Sequence, residues 1–471
     1  MSGEVTLERR LANFRSTLAR AEGGPADGRI EPARRRPAID HAERLADALD
    51  GEIVRTPAGT YVRVEDRTIP LPMDRERLAA LPGQPPPDVP LVCLDTETTG
   101  LGTAVGTYAF LVGLGWWEAD RFRTVQLLLP DQPDEPALLA EVADRIPAWG
   151  WLVTYNGRGF DWPLLVTRFR MARRGAPAHA GHLDLLPLVR RVFRHRMADA
   201  RLRTVEQELL GLRRHEDVDG WEIPGRYLDF LRGGPAAPLL QVQQHNAEDV
   251  RSLGRLLAFV EARYADPHHR RVAHPGDLAG LARIYGLERR HDEALACLDA
   301  ALEAPPLPAP VPAPAAAHAR RTRPSWTALL TTRADDPPPG PWSPTPARRV
   351  ERERILAERA RLLRRVGRHD EAFEAWQDLA SGGGPLSAAA WIEVAKALEH
   401  RRRDPAGALA ATRTAQSIID RALFTGRPVG RLEADLRVRA ARLRRRLDGG
   451  NRSPATGWRA VAESRGVGRT A

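Results

Sequence analysis

The segment Leu91-Val-Cys-Leu-Asp-Thr-Glu-Thr-Thr-Gly100 joins a short apolar run to two carboxylates. Such a run is typical of a buried strand that delivers functional side chains at its end. Because successive side chains of a strand point to opposite faces, Asp95 and Glu97 share one face and Thr96 points to the other. Taken alone, the pair could also be a chance acidic pair at a strand end.

Two later segments carry further candidate residues. Asp161 ends Tyr155-Asn-Gly-Arg-Gly-Phe-Asp161, at a predicted strand-to-helix junction, where it can reach a shared site or cap the helix. His245 and Asp249 are four residues apart on a predicted helix, so they share a face. The alternative for this last pair is that the two side chains simply satisfy each other.

The three segments together predict a metal site. Four carboxylates that converge on one point cannot all stay ionised without cations. Hard oxygen ligands favour magnesium or manganese over zinc. We therefore expect Asp95, Glu97, Asp161 and Asp249 to bind two Mg²⁺ or Mn²⁺ ions for phosphodiester cleavage, with His245 accepting a proton from the attacking water.

The periodicity around these segments predicts an α/β fold, with strands first and then alternating helices and strands. The first three predicted strands are closely spaced, which favours an antiparallel meander. The predicted strands are Leu91–Asp95, Thr107–Trp117, Arg121–Leu129, Trp151–Tyr155 and Leu183–Leu186, and the predicted helices are Glu135–Ile146, Trp162–Arg174, Leu188–Phe193, Thr204–Leu210 and Leu239–Ala262.

Composition shifts divide the chain of 471 residues into seven segments. The Pro-rich segment cannot build a core, so we expect an extended linker that few contacts cross. The segments are an N-terminal helical segment 1–40 with a helix over Leu7–Ala21, a short β-rich lead-in 41–88, the α/β domain 89–265, a helical hairpin 266–303, the linker 304–348, a helical region 349–447 and a disordered tail 448–471.

The helical regions contain a repeat. Leu281 to Leu295 and Leu362 to Phe373 both read as a helix, then Arg-His-Asp-Glu-Ala, then a second helix, and Ala397 to Leu409 is a looser third copy. This pattern resembles tetratricopeptide-type hairpins, which stack on neighbours to bury their faces and can bind a protein partner. Ordinary helical hairpins are the alternative.

Composition sets broad limits on function. Lys+Arg is 71 against Asp+Glu 61, a formal charge of +10 that suits a nucleic-acid partner. Lys396 is the one lysine in the chain, so the arginine excess fits biased genome composition equally well. Cys93 and Cys297 are far apart, and this spacing predicts neither a disulfide framework nor a zinc site. The chain shows no apolar leader and no run of membrane-spanning length, so we expect a cytoplasmic protein without membrane association.

These motifs resemble the YprB-like group of the ribonuclease-H-fold exonucleases, relatives of the DnaQ-type domains in the DEDD superfamily. Asp95 and Glu97 match the Asp-x-Glu of its first strand, Asn156, Phe160 and Asp161 match its second motif, and Asp249 matches its last. The resemblance covers about residues 40 to 265 and implies a ribonuclease-H-like mixed sheet and a 3′-to-5′ exonuclease with two metal ions.

The candidate nucleic-acid contacts lie in or beside these motifs: Thr98, Asn156, Arg158 and Phe160, with Arg158 the first to test as a phosphate ligand. One departure concerns His245, which stands three intervening residues before Asp249, where exonucleases of this superfamily with that spacing carry tyrosine. The YprB-like group shares this hybrid motif.

Two other functions stay open on the sequence. One is a non-catalytic nucleic-acid-binding or scaffold protein that uses its helical repeats to bind a partner. The other is a structure-specific endonuclease on the same fold. The residues do not choose between DNA and RNA.

Overall fold

The computed structural model describes residues 40–65, 68–100, 106–214, 218–303, 346–425 and 432–450. The predicted N-terminal helix Leu7–Ala21, most of the Pro-rich linker and most of the tail lie outside the described residues. The strands are β1 Glu52–Thr56, β2 Gly59–Glu65, β3 Ile69–Pro70, β4 Leu91–Thr98, β5 Ala109–Glu118, β6 Arg121–Leu128, β7 Trp151–Thr154 and β8 Gly181–Asp184.

The helices of the α/β part alternate with or follow these strands. They are α1 His41–Leu49, α2 Arg75–Ala80, α3 Glu135–Arg145, α4 Asp161–Met171, α5 Leu185–Val192, α6 Leu202–Val205, α7 Ile223–Leu231 and α8 Leu239–Tyr264. The C-terminal helices are α9 Pro267–Arg270, α10 Pro275–Leu287, α11 His291–Glu303, α12 Pro346–Arg365, α13 His369–Ser381, α14 Ser387–His400, α15 Pro405–Phe424 and α16 Leu432–Gly450.

The eight strands form one mixed sheet in the order β1-β2-β6-β5-β4-β7-β8, with β3 paired to β6. The pairs β4–β5 and β5–β6 are antiparallel, which confirms the predicted meander. The pairs β4–β7 and β7–β8 are parallel. The lead-in segment extends this sheet, because β2 pairs with β6. The mixed sheet flanked by helices confirms the predicted ribonuclease-H-like fold class.

Strand β4 separates two cores by side-chain alternation. Val92 and Leu94 are buried in one core with residues of α1, α3, α4 and α7. Leu91 and Cys93 are buried in the other, with residues of α5, α8 and the C-terminal helices. Asp95 continues the row of Leu91 and Cys93, so its side chain belongs to the face that α8 covers.

Glycines on β5 let α8 approach that face closely. Gly113 pairs with Asp95 across the β4–β5 ladder. A Cβ on Gly113 would lie 2.2 Å from Asn246 Oδ1, and a Cβ on Gly115 would lie 2.7 Å from Val250. Any larger residue at either position would push α8 away from the end of β4.

Two helices of this part, α2 and α7, were not predicted. Helix α7 contains Pro224 in its first turn and Gly225 directly after it, and both obscure a helical pattern. Proline is tolerated in the first turn because its missing N–H has no partner there. Apolar burial supplies the missing stability, since Ile223, Tyr227 and Phe230 are buried and Tyr227 stacks on Phe110.

The C-terminal region is all-helical, and its pairs α10–α11, α12–α13 and α14–α15 are the predicted hairpins. Each hairpin has a left-handed residue two positions before its second helix, namely Arg289, Gly367 and Arg403, with φ of 61°, 86° and 53°. The shared turn shows that the sequence repeat is a repeat of one backbone geometry. Its assignment to the tetratricopeptide family stays a prediction.

The expectation that few contacts cross the Pro-rich segment was wrong. Arg283 Nε on α10 donates to Glu358 on α12 at 2.9 Å, and Arg352 donates to the carbonyl of Leu302 at 2.7 Å. One apolar core runs from β4 and α8 through α10 to α14. The hairpins need neighbours to cover their apolar faces, and these helices find those neighbours across the segment.

Every described helix is too short or too polar to span a bilayer.

Candidate active site

The predicted site lies at the end of β4, under helix α8. Asp95 and Glu97 come from β4, and His245 and Asp249 come from one face of α8. His245 Nε2 lies 3.9 Å from Glu97 Oε1 and 3.7 Å from Asp249 Oδ2. Asp161 begins α4 beside them. The structure therefore brings together residues from all three sequence motifs.

Asp95 is held by a chain of buried amides. Asn246 Nδ2 donates to Asp95 Oδ2 at 2.8 Å, and Gln126 Nε2 on β6 donates to Asn246 Oδ1 at 2.8 Å. Gln126 also bonds the carbonyl of Gln243, and Gln243 donates back to the Gln126 side chain. This network fixes both the rotamer of Asp95 and the register of α8 over the sheet.

Burial is the main cause that raises the pKa of Asp95 well above its usual range. Repulsion from Asp249, Asp161 and Glu97 raises it further. The hydrogen bond from Asn246 acts in the opposite direction. Without a cation, the ionised form of Asp95 is therefore less favourable than that of an ordinary aspartate.

Asp161 faces a different partner in this structure. Thr96 Oγ1 donates to Asp161 Oδ1 at 2.6 Å, from the β4 face opposite to that of Asp95 and Glu97. Burial raises the pKa of Asp161 to about 6, although the hydrogen bond from Thr96 lowers it. Asp161 makes no side-chain cap to its own helix, because Phe160 occupies the N-cap position.

An arginine occupies the other side of the cluster. The Arg214 guanidinium donates to Asp249 and to Glu206, and its Nη1 lies 3.3 Å from His245 Nδ1. Because an arginine can only donate, this contact makes Nδ1 the acceptor and places the proton of neutral His245 on Nε2. In this arrangement the imidazole donates toward the carboxylates and cannot take a proton at Nε2.

The carboxylates consequently lie apart. In the described parts of the chain, the one group of three metal-binding side chains whose ligand atoms lie within 4.8 Å of one another is elsewhere. The carboxylates lie apart because two of them are hydrogen-bonded to other side chains. Thr96 holds Asp161, and Arg214 holds Asp249.

Sequence reasoning missed three of these residues. Arg214 and Glu206 carry no spacing signal, because a π-helical turn, Glu206–Leu210, and the loop after it bring them to α8. Asn246 had a signal, since it is polar and lies one turn from Gln243 on the buried side of the same helix.

The candidate nucleic-acid contacts lie around this cluster. Thr98 is buried at the end of β4, and its hydroxyl donates to the carbonyl of Gly100 at 2.6 Å. The loop from Asn156 to Phe160 leads directly into Asp161. Arg158 donates from its guanidinium to the carbonyl of His182. Their role in binding stays a prediction.

Asp184 anchors that loop. It accepts hydrogen bonds from the backbone N–H of Asn156 at 2.8 Å and of Arg158 at 3.3 Å, and it also caps helix α5 through Leu186. Asn156 itself adopts a left-handed φ of 67°. Asp184 therefore positions the turn that delivers Asp161.

Comparison with known proteins agrees with this architecture. The profile of RNase_H_2, a family of the RNase_H superfamily, matches residues 92–260, the stretch from β4 to α8. The uncharacterized protein YprB of Bacillus subtilis (strain 168) is 30% identical over 359 residues, which cover 76% of this chain and 75% of that protein. The chain belongs to the YprB family. Because the match to YprB covers 76% of this chain and the RNase_H_2 match ends at residue 260, the stretch similar to YprB includes part of the helical region.

Proposed function

We propose that this member of the YprB family is a metal-dependent nuclease, and that it acts as a 3′-to-5′ exonuclease on single-stranded DNA or RNA. One observation carries the proposal. Asp95 and Glu97 lie at the end of β4 in an RNase_H-superfamily fold, and His245 lies 3.9 Å from Glu97 and 3.7 Å from Asp249. Asp161 is close enough to raise the pKa of Asp95 by repulsion.

The donor set fits two Mg²⁺ or Mn²⁺ ions. The four side chains offer carboxylate oxygens alone, which is the chemistry these ions prefer. Repulsion among the carboxylates contributes to the raised pKa of Asp95. Bound cations would relieve this repulsion, so it favours cation binding at the site. Bound ions would supply a nucleophile from water and stabilise the leaving oxygen.

Binding such ions requires two local side-chain movements. Asp161 has to turn from Thr96 toward Asp95, and Arg214 has to leave Asp249. Release of Arg214 also frees His245 Nδ1, so the imidazole can then hold or accept a proton beside the cluster. Arg158, in the loop before Asp161, is the candidate phosphate contact.

The test is cleavage by the purified full chain. Single-stranded DNA and RNA oligonucleotides, labelled at the 5′ or 3′ end, are incubated with manganese, magnesium or chelator. We expect a ladder of 5′-labelled products with either ion and none with chelator. The variant Asp95→Asn should be inactive, whereas Asp120→Asn, at an exposed β5–β6 turn, should behave as wild type.

Three outcomes would change the proposal. Cleavage of circular single strands or of 3′-blocked ends would identify an endonuclease on this fold. Tight binding without cleavage under any ion would identify a binding or scaffold protein whose Arg214–Asp249 pair permanently closes the site. Equal turnover by wild type and Asp95→Asn would refute the assignment of the cluster.

A further inference from the structure

A second group of potential ligands lies where the helical region meets the α/β part. His195 belongs to the helical turn Arg194–Arg196 after α5, and His274 and Asp277 belong to the first turn of α10. One ligand atom from each of the three lies within 4.8 Å of the others. None of these residues belongs to the cluster at β4.

The spacing of these atoms matches a tetrahedral ion. His195 Nε2 hydrogen-bonds His274 Nδ1 at 3.1 Å and lies 3.5 Å from Asp277 Oδ1. His274 Nδ1 also accepts the backbone N–H of Gly276 at 3.0 Å, and an ion bound to Nδ1 would replace both contacts. Two ligands of a tetrahedral zinc ion, each about 2.0–2.1 Å from the metal, are roughly 3.3 Å apart. Both distances therefore lie close to the edge of such a tetrahedron.

Asp277 contains a buried oxygen that the protein leaves without a hydrogen bond. The residue is 1% exposed, and its Oδ2 accepts from Tyr264 at 2.7 Å and pairs with Arg196 at 3.0 Å. Its Oδ1, the atom that faces His195, has no hydrogen-bond partner. A buried carboxylate oxygen normally has one, so this atom can accept a further partner such as a cation.

A second carboxylate lies at the edge of this group. Glu351, in the first turns of α12, places Oε1 3.8 Å from His274 Nδ1. Gly276 makes the approach possible, since a Cβ there would lie 2.5 Å from His195 Nε2 and 2.6 Å from Glu351 Oε1. The imidazole of His195 and the carboxylate of Glu351 thus meet over a backbone that has no side chain.

We propose that His195, His274, Asp277 and Glu351 bind one zinc ion. Two imidazole nitrogens with two carboxylates suit zinc, whereas magnesium and calcium prefer oxygen ligands alone. The ion would connect three segments: the turn after α5, the start of α10 and the start of α12. It therefore acts as a structural link between the α/β part and the helical hairpins.

The surrounding charges are compatible with a divalent cation. Arg196 and the N-terminal dipole of α10 oppose a cation. Asp277 and Glu351 offset them with two negative charges.

Zinc binding is measured on the full chain carrying D95N and D249N, so that the cluster at β4 does not compete. Dialysed protein is titrated with zinc chloride and followed by metal analysis and thermal unfolding. We expect one equivalent of zinc and a rise in Tm. Cobalt in place of zinc should give the visible absorption of a tetrahedral ion.

The variants separate ligation from packing. His195→Gln should weaken zinc binding at least about 100-fold, the upper range for loss of a group that only supports a ligand. His274→Asn should do the same, and the Asn side chain can replace the cap that His274 Nδ1 makes to Gly276 N without metal. His268→Asn, at an exposed position on α9, is the matched control and should bind as the parent does.

Gly276→Ala tests the site without touching a ligand. Its new methyl group would occupy the space between His195 and Glu351 and should also weaken zinc. The proposal fails if the parent chain binds no zinc, or if the ligand variants and the control bind it equally. It also fails if cobalt shows an octahedral spectrum. Nuclease activity plays no part in these readouts, so either proposal can fail alone.

Discussion

The carboxylate cluster at the end of β4 and the histidine cluster at the start of α10 differ in how their ligands come together. In the first, Asp95 and Glu97 are two residues apart on one strand, and His245 and Asp249 are one turn apart on one helix. In the second, His195, Asp277 and Glu351 come from three separate elements and meet only because those elements dock.

The two clusters also differ in how the protein treats them without a cation. In the carboxylate cluster, three carboxylates accept hydrogen bonds from other side chains: Asp95 from Asn246, Asp161 from Thr96 and Asp249 from Arg214. The histidine cluster keeps one buried oxygen of Asp277 without a hydrogen bond. The comparison shows two arrangements of potential metal ligands. In one, other side chains of the protein already hold the carboxylates, and in the other a buried carboxylate oxygen stays without a hydrogen bond.

The largest expected effect is a loss of nuclease activity that leaves zinc binding unchanged. Glu97→Gln removes one anionic ligand, and nuclease activity should fall by about three orders of magnitude or more, because the ions supply both nucleophile and charge stabilisation. Zinc content should not change. Glu118→Gln, at the exposed end of β5, is the control for activity. Wild-type turnover by Glu97→Gln would show that the cluster is not catalytic.

The next effect concerns His245, which borders the carboxylates from 3.7 to 3.9 Å. His245→Asn should slow turnover about 10²–10⁴-fold if the imidazole works as a general base. The thermal shift produced by manganese should stay nearly unchanged. Loss of the thermal shift would instead make His245 a ligand or a structural support.

A smaller effect tests Arg214 as the internal substitute for a cation. Arg214→Gln alone would leave Glu206 buried without its partner, so the double variant with Glu206→Gln is the usable one. Releasing Asp249 should tighten manganese binding about tenfold, which corresponds to about 1.4 kcal/mol. Calorimetric titration measures it, and Arg213→Gln, at the neighbouring exposed position, is the control. Weaker binding would mean that Arg214 supports the metal site.

The smallest effect is on stability in chelator. The pKa of Asp161 is about 6 in the folded protein and about 3.9 in an unfolded chain, so the folded state binds more protons between these values. The contribution of Asp161 to stability is therefore fully present below about pH 4 and is lost as the pH rises through about 6.

Asp161→Asn can keep the hydrogen bond from Thr96 and remove this penalty. At pH 7 in chelator its Tm should exceed that of wild type by roughly a few degrees. The difference should vanish near pH 4, and manganese should reverse it by stabilising the wild type alone. The control Asp120→Asn should show neither effect. A lower Tm at pH 7 would mean that the carboxylate of Asp161 is already compensated without metal.

Much of the fold and of the candidate site could be predicted from local pattern. Strand β4 was predicted because an apolar run of four residues leads into Asp95, and its alternation placed Glu97 beside Asp95. The long amphipathic pattern of α8 placed His245 and Asp249 on one face. The repeat of Arg-His-Asp-Glu-Ala located the turns of two hairpins. Each of these relations acts over a few residues, within the reach of strand and helix periodicity.

The remaining features depend on distances that periodicity does not encode. The absence of side chains at Gly113 and Gly115 is explained only by the tertiary structure, in which α8 packs closely against β5. Arg214 reached Asp249 through a π-helical turn and a loop, and neither has a spacing rule. The sequence predicted no zinc site because that inference depended on cysteine spacing, and imidazoles such as His195 and His274, 79 residues apart, give no such signal.

By itself, then, the sequence determined the mixed α/β fold, the paired carboxylates of β4, the His245–Asp249 face of α8 and the helical hairpins. Local backbone geometry is sufficient for all of these. Only the tertiary structure decided that Thr96 and Arg214 hold Asp161 and Asp249 apart. It also decided that the hairpins share a core with the α/β part and bring His195 to Asp277. Those contacts exist because separate apolar faces bury each other, and burial has no fixed sequence separation.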